Sequence, residues 1–272
     1  MNIIKQPIRI SVLMAIYNCA DTLSEALDSL FIAQTYQGFK VILCDDSSTD
    51  TTYEIAKEYA GKYPDRIILL KNESNMKLPA SLNRCLEYAD TEYIARMDGD
   101  DISKPTRFQE EIDFLDNHPE YAIVSTAMEY FDENGIFMIG KAIEKPDERA
   151  FIGSTPHAHA PAVIRTYVIK EVGGYTCKSY TQRGQDVDLW SKIYSRGYKG
   201  YNISAALYQM RDDKKAYKRR TLKEAVRSVV RNYKIYQRLG IPFKYYLTIF
   251  RPLILCLIPQ SLYLYLHKRK FK

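Results

Sequence analysis

Three aspartates within four residues, Asp98, Asp100 and Asp101, are the side chains of this chain best suited to chemistry. They follow an apolar stretch, residues 93–97, that is typical of a buried strand. Carboxylates this close repel one another and raise each other's pKa unless a cation neutralises them. The cluster therefore predicts a site for a hard divalent cation with oxygen ligands. Because substrate phosphates commonly complete such a coordination shell, it also indicates a phosphorylated ligand.

Other polar side chains follow the neighbouring apolar runs. Asn18 comes after the run at residues 8–16, and Asp45 and Asp46 come after the run at residues 39–44. Further short runs at residues 67–70 and 93–97 alternate with helix-like segments, which predicts an α/β fold with a mostly parallel central sheet flanked by helices. Ligands bind beyond the carboxyl ends of the strands in such sheets. We therefore expect Asn18, Asp45, Asp46 and the aspartate cluster to converge on one edge.

The helical segments show start signals and apolar faces. Thr22 and Glu25 have the spacing of a capping box, and the residues at 23, 26, 27 and 30 share one helical face. Residues 47–49 offer N-caps for a second helix that runs to about residue 61, and a third is expected over residues 79–89. Later in the chain we expect a strand at 122–131 ending in a turn at 132–135, a loop at 141–162, and helices at 165–171 and 186–196.

The charge of the chain is distributed unevenly. Residues 213–272 hold 16 Lys and Arg against 2 Asp and Glu, whereas residues 1–212 hold 23 basic and 31 acidic residues. A basic tail on an acidic body indicates an anionic partner, either a nucleic acid or a lipid surface. The apolar and aromatic stretch at 245–266 is nearly long enough to span a bilayer. Because Arg251, Pro252, Pro259 and Gln260 interrupt it, an interfacial or re-entrant anchor is the better interpretation.

The remaining bulk features indicate a cytoplasmic protein. The five cysteines, Cys19, Cys44, Cys85, Cys177 and Cys256, have no CxxC or metal-site spacing, which favours reduced thiols over a disulfide framework. Residues 1–7 carry no apolar core, so we expect no secretory signal peptide.

Taken in order, these motifs resemble the inverting glycosyltransferases of family 2, which have the GT-A fold. The resemblance covers roughly residues 8–212 and rests on six motifs: Ser11 to Asn18, Asp45 to Asp50, Asn83, Asp98 to Asp101, Gly173-Gly174-Tyr175, and Gln185 to Trp190. It implies a catalytic domain at 1–212, with a nucleotide-binding half at about 1–101 and an acceptor half at about 102–212. Residues 213–272 would then be basic, apolar helices that associate with the membrane.

The resemblance implies a donor site at the strand ends. The carboxylate of Asp45 or Asp46 would accept the imide hydrogen of a uracil base, although either residue could instead cap the following helix. The main chain around Ala15, Tyr17 and Asn18 would cover the base and ribose. Asn83, Asp98 and His159 would complete the contacts to the nucleotide sugar, and His157 and Lys77 are further candidates left open.

The resemblance also implies the reactive groups. Asp98, Asp100 and Asp101 match the DXD motif and would hold Mn²⁺ or Mg²⁺ on the diphosphate, with Asp101 as a helix cap the alternative. Asp186 matches the catalytic base, which takes the proton of the acceptor hydroxyl. Many relatives carry Glu immediately before this Asp. Here Gln185 removes that charge and should leave the pKa of Asp186 lower than in a paired arrangement. Asp188 is interpreted as structural.

The predicted function is metal-dependent, inverting transfer of a hexose or N-acetylhexosamine. The donor would be a nucleotide sugar, with UDP favoured, and the acceptor a lipid-linked saccharide at the cytoplasmic face of the inner membrane, as in capsule, O-antigen or exopolysaccharide synthesis. The alternative for the tail is packing on the catalytic domain together with a homodimer contact.

Three other functions fit the sequence less well. A nicotinamide-dependent enzyme would need a glycine-rich first turn, and residues 15–20 contain no glycine. A nucleic-acid-binding protein would not be expected to have so apolar a tail on an acidic body, so we expect no nucleic acid partner. An inactive sugar-nucleotide-binding relative would have no need to retain the aspartate cluster and Asp186.

Overall fold

The computed structural model describes residues 6–212 and 221–257 of the chain. In these residues nine strands form one sheet. The strands are β1 (Ile10–Ile16), β2 (Phe39–Asp45), β3 (Ile67–Lys71), β4 (Tyr93–Arg96), β5 (Ile102–Ser103), β6 (Tyr121–Asp132), β7 (Gly135–Ile139), β8 (Val163–Arg165) and β9 (Lys199–Arg211). The helices are α1 (Ala20–Phe31), α2 (Thr52–Lys62), α3 (Leu78–Glu87), α4 (Arg107–Asn117), α5 (Thr166–Glu171), α6 (Gln185–Tyr194), α7 (Leu222–Arg238) and α8 (Arg251–Leu257).

The sheet has a parallel part and a mixed part. Its order is β3-β2-β1-β4-β8-β6-β9-β5, with β7 paired to β6. The first four strands are all parallel, and Ile10 of β1 lies opposite Phe39 of β2 and Tyr93 of β4. Beyond β4, β8 is antiparallel to both of its neighbours, whereas β6 and β9 are parallel. The α/β prediction is confirmed, and the continuous parallel run is confined to the strands that precede the acidic cluster.

Hydrophobic cores lie on both faces of the sheet because alternate strand residues point to opposite sides. Val12 and Met14 belong to a cluster with α1 and α4, whereas Leu13 belongs to a second cluster with α3 and α6. Trp190 is fully buried in the second cluster. The five cysteines all lie within the described residues and are free thiols, as expected.

The start signals of α1 and α2 were predicted wrongly. Helix α1 begins at Ala20 after Cys19, and its N-cap makes no side-chain hydrogen bond, so Thr22 and Glu25 do not form a capping box. Instead the carboxylate of Asp50 accepts from the main-chain N–H of Ala20 at 3.3 Å and from that of Thr52 at 3.0 Å. One aspartate in the loop between β2 and α2 therefore supports the starts of both helices.

Strands β8 and β9 have no counterpart in the sequence prediction. Strand β8 has only three residues, and β9 mixes small, polar, aliphatic and aromatic residues without a regular alternation. Neither is an apolar run, and each is stabilised by pairing with strands distant in sequence. Strand β9 pairs with β6 from Tyr121 to Phe131, and its far end also pairs with β5. Its position matters because Tyr208 and Arg211 reach the acidic cluster.

Helix α7 packs on the body rather than standing apart from it. Its buried residues Ala225, Ile235 and Tyr236 include members of the cluster around Trp190, and Ile249 extends that cluster into the following segment. The hydroxyl of Thr221 caps the helix by accepting from the main-chain N–H of Glu224 at 3.2 Å. A domain division at residue 212 stays a prediction, but the hydrophobic core is continuous across it.

The predicted membrane stretch is only partly described. Its first part forms a short 3₁₀ helix, Phe243–Phe250, followed by α8. The rest of the stretch and the basic cluster after it lie outside the described residues. Within residues 6–212 and 221–257, no helix is both long enough and apolar enough to cross a bilayer.

Candidate active site

The acidic cluster lies in the turn between β4 and β5. Asp98 is half-buried, and its main-chain N–H donates to the hydroxyl of Tyr208 at 3.2 Å. Its carboxylate forms an ion pair with Arg96, a fully buried residue at the end of β4. A buried guanidinium is stable here because the cluster beside it is negative. Arg96 therefore anchors the first aspartate to the strand that precedes it.

The other two aspartates differ in exposure. Asp101 is buried and accepts from the main-chain N–H of Arg211 at 2.8 Å, whereas Asp100 is exposed. Burial, together with the negative charges of Asp98 and Asp100, raises the pKa of Asp101 to about 8. The crowded carboxylates are thus held in an environment that disfavours their charge, which is the condition a bound cation relieves. Asp101 does not cap α4, which begins six residues later at Arg107.

The cluster suits a metal that is shared with a ligand. In the two described stretches, no group of three or more His, Cys, Asp or Glu side chains is arranged to hold a metal ion by itself. Mg²⁺ and similar hard cations are commonly held by one or two carboxylates together with phosphate oxygens and waters. The oxygen donors of the cluster and the raised pKa of Asp101 fit a cation of that kind.

A side chain at the second position of the cluster would crowd the end of β1. A Cβ on Gly99 would lie 2.8 Å from Sγ of Cys19 and 3.2 Å from Cγ2 of Ile16. The hydroxyl of Thr22 also donates to the carbonyl of Gly99 at 2.9 Å. The acidic turn therefore packs directly against the end of β1, and the predicted convergence of these strand ends is confirmed.

Asp46 organises a neighbouring loop. One carboxylate oxygen accepts from the side chain of Asn72 at 2.7 Å and from the N–H of Met76 at 2.8 Å, and the other accepts from the N–H of Lys77 at 2.9 Å. Lys77 has a φ of +74°, a conformation that favours glycine. The Asp46 bonds help to hold this strained residue, so both oxygens are already engaged within the protein.

Asp45 has only one of its two carboxylate oxygens engaged in a hydrogen bond. Its Oδ2 accepts from the main-chain N–H of Ser48 at 3.2 Å, a bond within the loop before α2 that does not cap that helix, whose N-cap is Thr51. Its Oδ1 is buried and has no hydrogen-bond partner. A buried carboxylate oxygen without a partner costs free energy unless a ligand supplies a donor. Of the two adjacent aspartates, Asp45 is therefore the one with acceptor capacity for a ligand.

Asn18 joins the loops that follow β1 and β2. Its side-chain oxygen accepts from the N–H of Thr49 at 2.8 Å, and its own N–H donates to the hydroxyl of Ser48 at 3.1 Å. Asn18 has a φ of +48°, which Asn tolerates better than most residues. Tyr17 is exposed beside it and Ala15 is half-buried at the end of β1. These residues form a wall along the same sheet edge as Asp45.

Asp186 lies at the start of α6, after Gly184, which has a φ of +76°. The residue is half-buried, and burial raises the pKa of its carboxyl above the ordinary value. The positive charges of Arg231 and Arg96 oppose that rise. Gln185 before it is nearly fully buried, and the effect of a Glu at that position stays a prediction.

The charge of Arg96 acts on both acidic centres. Arg96 pairs with Asp98, and its charge also acts on Asp186 and on the phenolic group of Tyr175. The hydroxyl of Tyr175 lies 2.9 Å from Nε2 of His159. Burial and the Arg96 charge lower the pKa of His159 well below its ordinary value. His159 is therefore neutral at physiological pH and adjoins the region between the cluster and Asp186.

His157 is a structural residue. It is almost fully buried, with its ring nitrogens 2.7 Å from Oδ1 of Asn202 and 2.9 Å from the hydroxyl of Tyr194. Burial lowers its pKa to about 4. The ring is thus neutral, and both nitrogens are engaged within the protein.

Two other predicted residues make contacts that hold the site together. The side-chain nitrogen of Asn83 donates to the carbonyl of Tyr175 at 2.8 Å, and the side-chain oxygen of Asn83 accepts from the main-chain N–H of Tyr175 at 2.7 Å. Asp188 is fully buried and accepts from the hydroxyl of Thr176 at 2.6 Å and from Arg238 at 3.0 Å. The structural role predicted for Asp188 is confirmed.

The sequence profile of “Glycosyl transferase family 2” matches residues 11–173, more than half of the chain. The chain belongs to this family. The matched stretch contains the acidic cluster, Asp45 and Asn83, and it ends before Asp186.

Relatives of this glycosyltransferase extend the match over nearly the whole chain. It is 39% identical to EpsE of Bacillus subtilis (strain 168), over 96% of this chain and 94% of that protein. It is 29% identical to an Escherichia coli UDP-Gal:alpha-D-GlcNAc-diphosphoundecaprenol beta-1,3-galactosyltransferase, over 96% of each chain. Among solved structures, the Pyrobaculum calidifontis mannosyltransferase PcManGT in complex with GDP-Man and Mn²⁺ superposes with a TM-score of 0.66 at 19% identity, covering 92% of this chain and 70% of that one. The fold of this transferase is therefore GT-A.

The sequence analysis missed several residues that shape this glycosyltransferase site. Arg96 carried a signal, since a charged residue within a buried strand next to an acidic turn needs a partner. Tyr208 and Arg211 carried none, because they belong to the unpredicted β9. Arg231 lay in the basic tail, where nothing in its spacing distinguished it from its neighbours.

Proposed function

We propose that this enzyme transfers a sugar from a UDP-sugar to a lipid-linked saccharide, with inversion at the anomeric carbon. The acceptor would be a lipid-linked saccharide used in the synthesis of a cell-surface polysaccharide, reached at the cytoplasmic face of the inner membrane. The observation that carries the proposal is that one buried guanidinium, that of Arg96, pairs with Asp98 of the acidic cluster while its charge also acts on the carboxyl of Asp186. A diphosphate clamp and a general base so placed would act on opposite sides of one anomeric carbon.

Asp45 would bind the nucleotide base of the sugar donor. Its unpartnered Oδ1 could accept the imide hydrogen of uracil, and the wall formed by Ala15, Tyr17 and Asn18 would lie along the base and ribose. The galactosyltransferase relative named above uses UDP-Gal, which supports UDP. We propose that Asp46 and Asn83, whose polar atoms are engaged within the protein, position this site from behind.

The diphosphate would lie over the acidic cluster. Asp98, Asp100 and Asp101 are the residues that would hold Mn²⁺ or Mg²⁺, and such an ion would stabilise the negative charge on the departing diphosphate. The Mn²⁺ in the PcManGT complex, which shares the fold, supports the choice of metal. Arg96 would fix the orientation of Asp98 from the buried side.

The acceptor hydroxyl would be activated by Asp186. Burial raises the pKa of this carboxyl, which brings it closer to the pKa that suits a general base near neutral pH. His159 and Tyr175 would adjoin the sugar as neutral, polar contacts. No charge change at His159 is then needed during transfer.

Metal removal tests the donor site. We expect EDTA to weaken UDP binding, measured by isothermal titration calorimetry, and Asp100→Asn to weaken binding in Mn²⁺ by about 10–100-fold, since one charge-assisted contact is lost. Asp65→Asn is the matched control, because Asp65 is exposed at the opposite edge of the sheet. Equal affinity with and without metal would contradict metal dependence. Hydrolysis or transfer from a panel of nucleotide sugars then tests the reaction itself.

The membrane surface is proposed to contact the segment after α7. Phe243 and Leu247 are 85% and 80% exposed, and Phe250 and Ile254 continue the same spacing of three to four residues. Apolar side chains this exposed, in a segment flanked by basic residues, favour an interfacial location. The E. coli relative acts on an undecaprenol-linked substrate, which supports a membrane acceptor.

Membrane contact has a direct test. The double variant Phe243→Glu/Leu247→Glu should bind vesicles of anionic phospholipid at least about 10-fold more weakly, because it removes two apolar groups from the lipid interface. Ile32→Glu/Ile143→Glu changes two comparably exposed residues elsewhere and should bind as the wild type does. Unchanged vesicle binding combined with a shift from dimer to monomer would show instead that a second copy covers this face.

A further inference from the structure

A cavity of about 540 Å³ lies beside the start of α6, enclosed by the loop at residues 151–155, α7 and α8. We call it the basic cavity, since the side chains of Arg183, Arg231 and Arg251 line it. Among the described residues that line it, the one acidic residue is Glu224, which is ion-paired with Arg227. The cavity therefore carries a net positive charge and suits an anionic ligand.

Arg231 and Arg251 can each present guanidinium N–H groups to such a ligand. Arg231 donates to the carbonyl of Arg183 at 2.6 Å, but its Nε is buried and has no partner. Arg251 donates from Nη1 to the carbonyl of Gly153 at 3.0 Å. A guanidinium presents several N–H donors in a fork that matches phosphate oxygens. Ser228 and Asn232 add neutral polar groups to the lining.

The basic cavity adjoins the proposed base. A Cβ on Gly184 would lie 2.2 Å from Nη1 of Arg231, so this guanidinium packs against the residue that precedes α6. Asp186 follows two residues later, and the charge of Arg231 acts on its carboxyl. A ligand bound by Arg231 therefore lies close to the acceptor hydroxyl that Asp186 would activate.

The outer wall of the basic cavity leads to the apolar face described above. Arg251 and Leu255 line the cavity, whereas Ile254 of the same helix is 61% exposed, in register with Phe250 and Leu247. An occupant with an anionic head and an apolar tail would match both surfaces of this segment.

We propose that the basic cavity binds the diphosphate that joins the acceptor sugar to its lipid. The inference rests on the proposed function, since it assigns a site to that acceptor. In an acceptor whose sugar is attached directly to a diphosphate, one sugar ring separates the attacking hydroxyl from the phosphates. The diphosphate must then sit next to the base, where Arg231 lies, and the lipid must leave toward the apolar segment.

Direct binding of decyl diphosphate tests this assignment on the full-length chain. The titrations contain EDTA, so that the acidic cluster has no metal with which to attract a diphosphate. We expect S228E to raise the dissociation constant at least about 10-fold relative to S228Q, because it sets a carboxylate one turn before Arg231 while matching the volume. Arg251→Gln should weaken binding by a similar factor. Lys223→Gln, which removes the same charge from an exposed site on α7, should not.

Two further ligands show whether the diphosphate head or the apolar tail of decyl diphosphate is responsible for its binding. Decyl glucoside, with the same tail and no phosphate, should bind weakly and equally to all variants, and inorganic pyrophosphate should bind more weakly than decyl diphosphate. Equal dissociation constants for S228E and S228Q, or equal weakening by Lys223→Gln and Arg251→Gln, would overturn the assignment. Equal affinity for pyrophosphate and decyl diphosphate would do so too, by showing an anion site without lipid. If the wild type does not bind UDP in Mn²⁺ but the decyl diphosphate results are as expected, only the proposed donor is contradicted.

Discussion

Replacing Asp186 with asparagine should lower the rate of sugar transfer by about 10²–10⁴-fold, the usual contribution of a general base. The asparagine keeps the size of the side chain at the start of α6 but cannot take the proton of the acceptor hydroxyl. UDP affinity in Mn²⁺ should be unchanged, because the donor site is built from β1, β2 and the turn after β4. Transfer measured with saturating donor and UDP affinity measured by calorimetry give the two readouts.

The pH dependence of transfer distinguishes a base from a positioning residue. Burial raises the pKa of Asp186. As the pH is lowered, kcat/KM should therefore begin to fall at a pH above the ordinary aspartate pKa of about 3.9. In Asp186→Asn the residual rate should lose that decline. Asp65→Asn serves again as the control. A rate for Asp186→Asn equal to that of the wild type would remove Asp186 from the mechanism, and an unchanged decline with a reduced rate would make it a positioning residue.

Replacing Arg107 with leucine should lower the free energy of unfolding by about 3–5 kcal/mol, the usual cost of leaving one charge of a buried pair alone. Nε of Arg107 lies 3.1 Å from Oε2 of Glu111, and both side chains are fully buried. Arg107 also donates to the carbonyl of Arg96 at 2.9 Å. The pair therefore supports the end of the strand that carries the acidic cluster. Urea denaturation of the purified variant measures the loss.

A second substitution and the pH test the cause of that loss. Burial raises the pKa of Glu111 to about 8 against the attraction of Arg107, so removing Arg107 should raise it further. The native state of the variant then resists ionisation more strongly than that of the wild type. Below about pH 8 Glu111 stays protonated in both native states, so the extra loss of stability caused by Arg107→Leu should grow as the pH rises above about 8. Arg107→Leu/Glu111→Leu should recover most of the stability, because no unpaired charge remains. Equal losses in the single and double variants would mean that packing, not charge, is responsible.

The sequence was sufficient for the elements whose signals are local. The apolar runs of β1 to β4 and the helical face of α1 follow from residue spacing, and the acidic turn follows directly from its strand. The order of the strands then required the polar residues at their ends to meet, because neighbouring parallel strands place their carboxyl ends on one edge. Features that depend on single hydrogen bonds could not be predicted as well from the sequence. Asp50 supports the starts of both α1 and α2, whereas a capping box of Thr22 and Glu25 was expected for α1.

The sequence by itself determined the α/β class, the acidic turn at a strand end and the position of Asp186 at the start of a helix, since each depends on residues close together in the chain. Only the tertiary structure decided which of Asp45 and Asp46 keeps a free oxygen, because the loop at residues 72–77 takes up both oxygens of Asp46. It alone placed Arg96 where its charge acts on both acidic centres, and Arg231 where its charge acts on Asp186. These contacts join residues far apart in sequence, and burial sets the protonation of the groups they bring together.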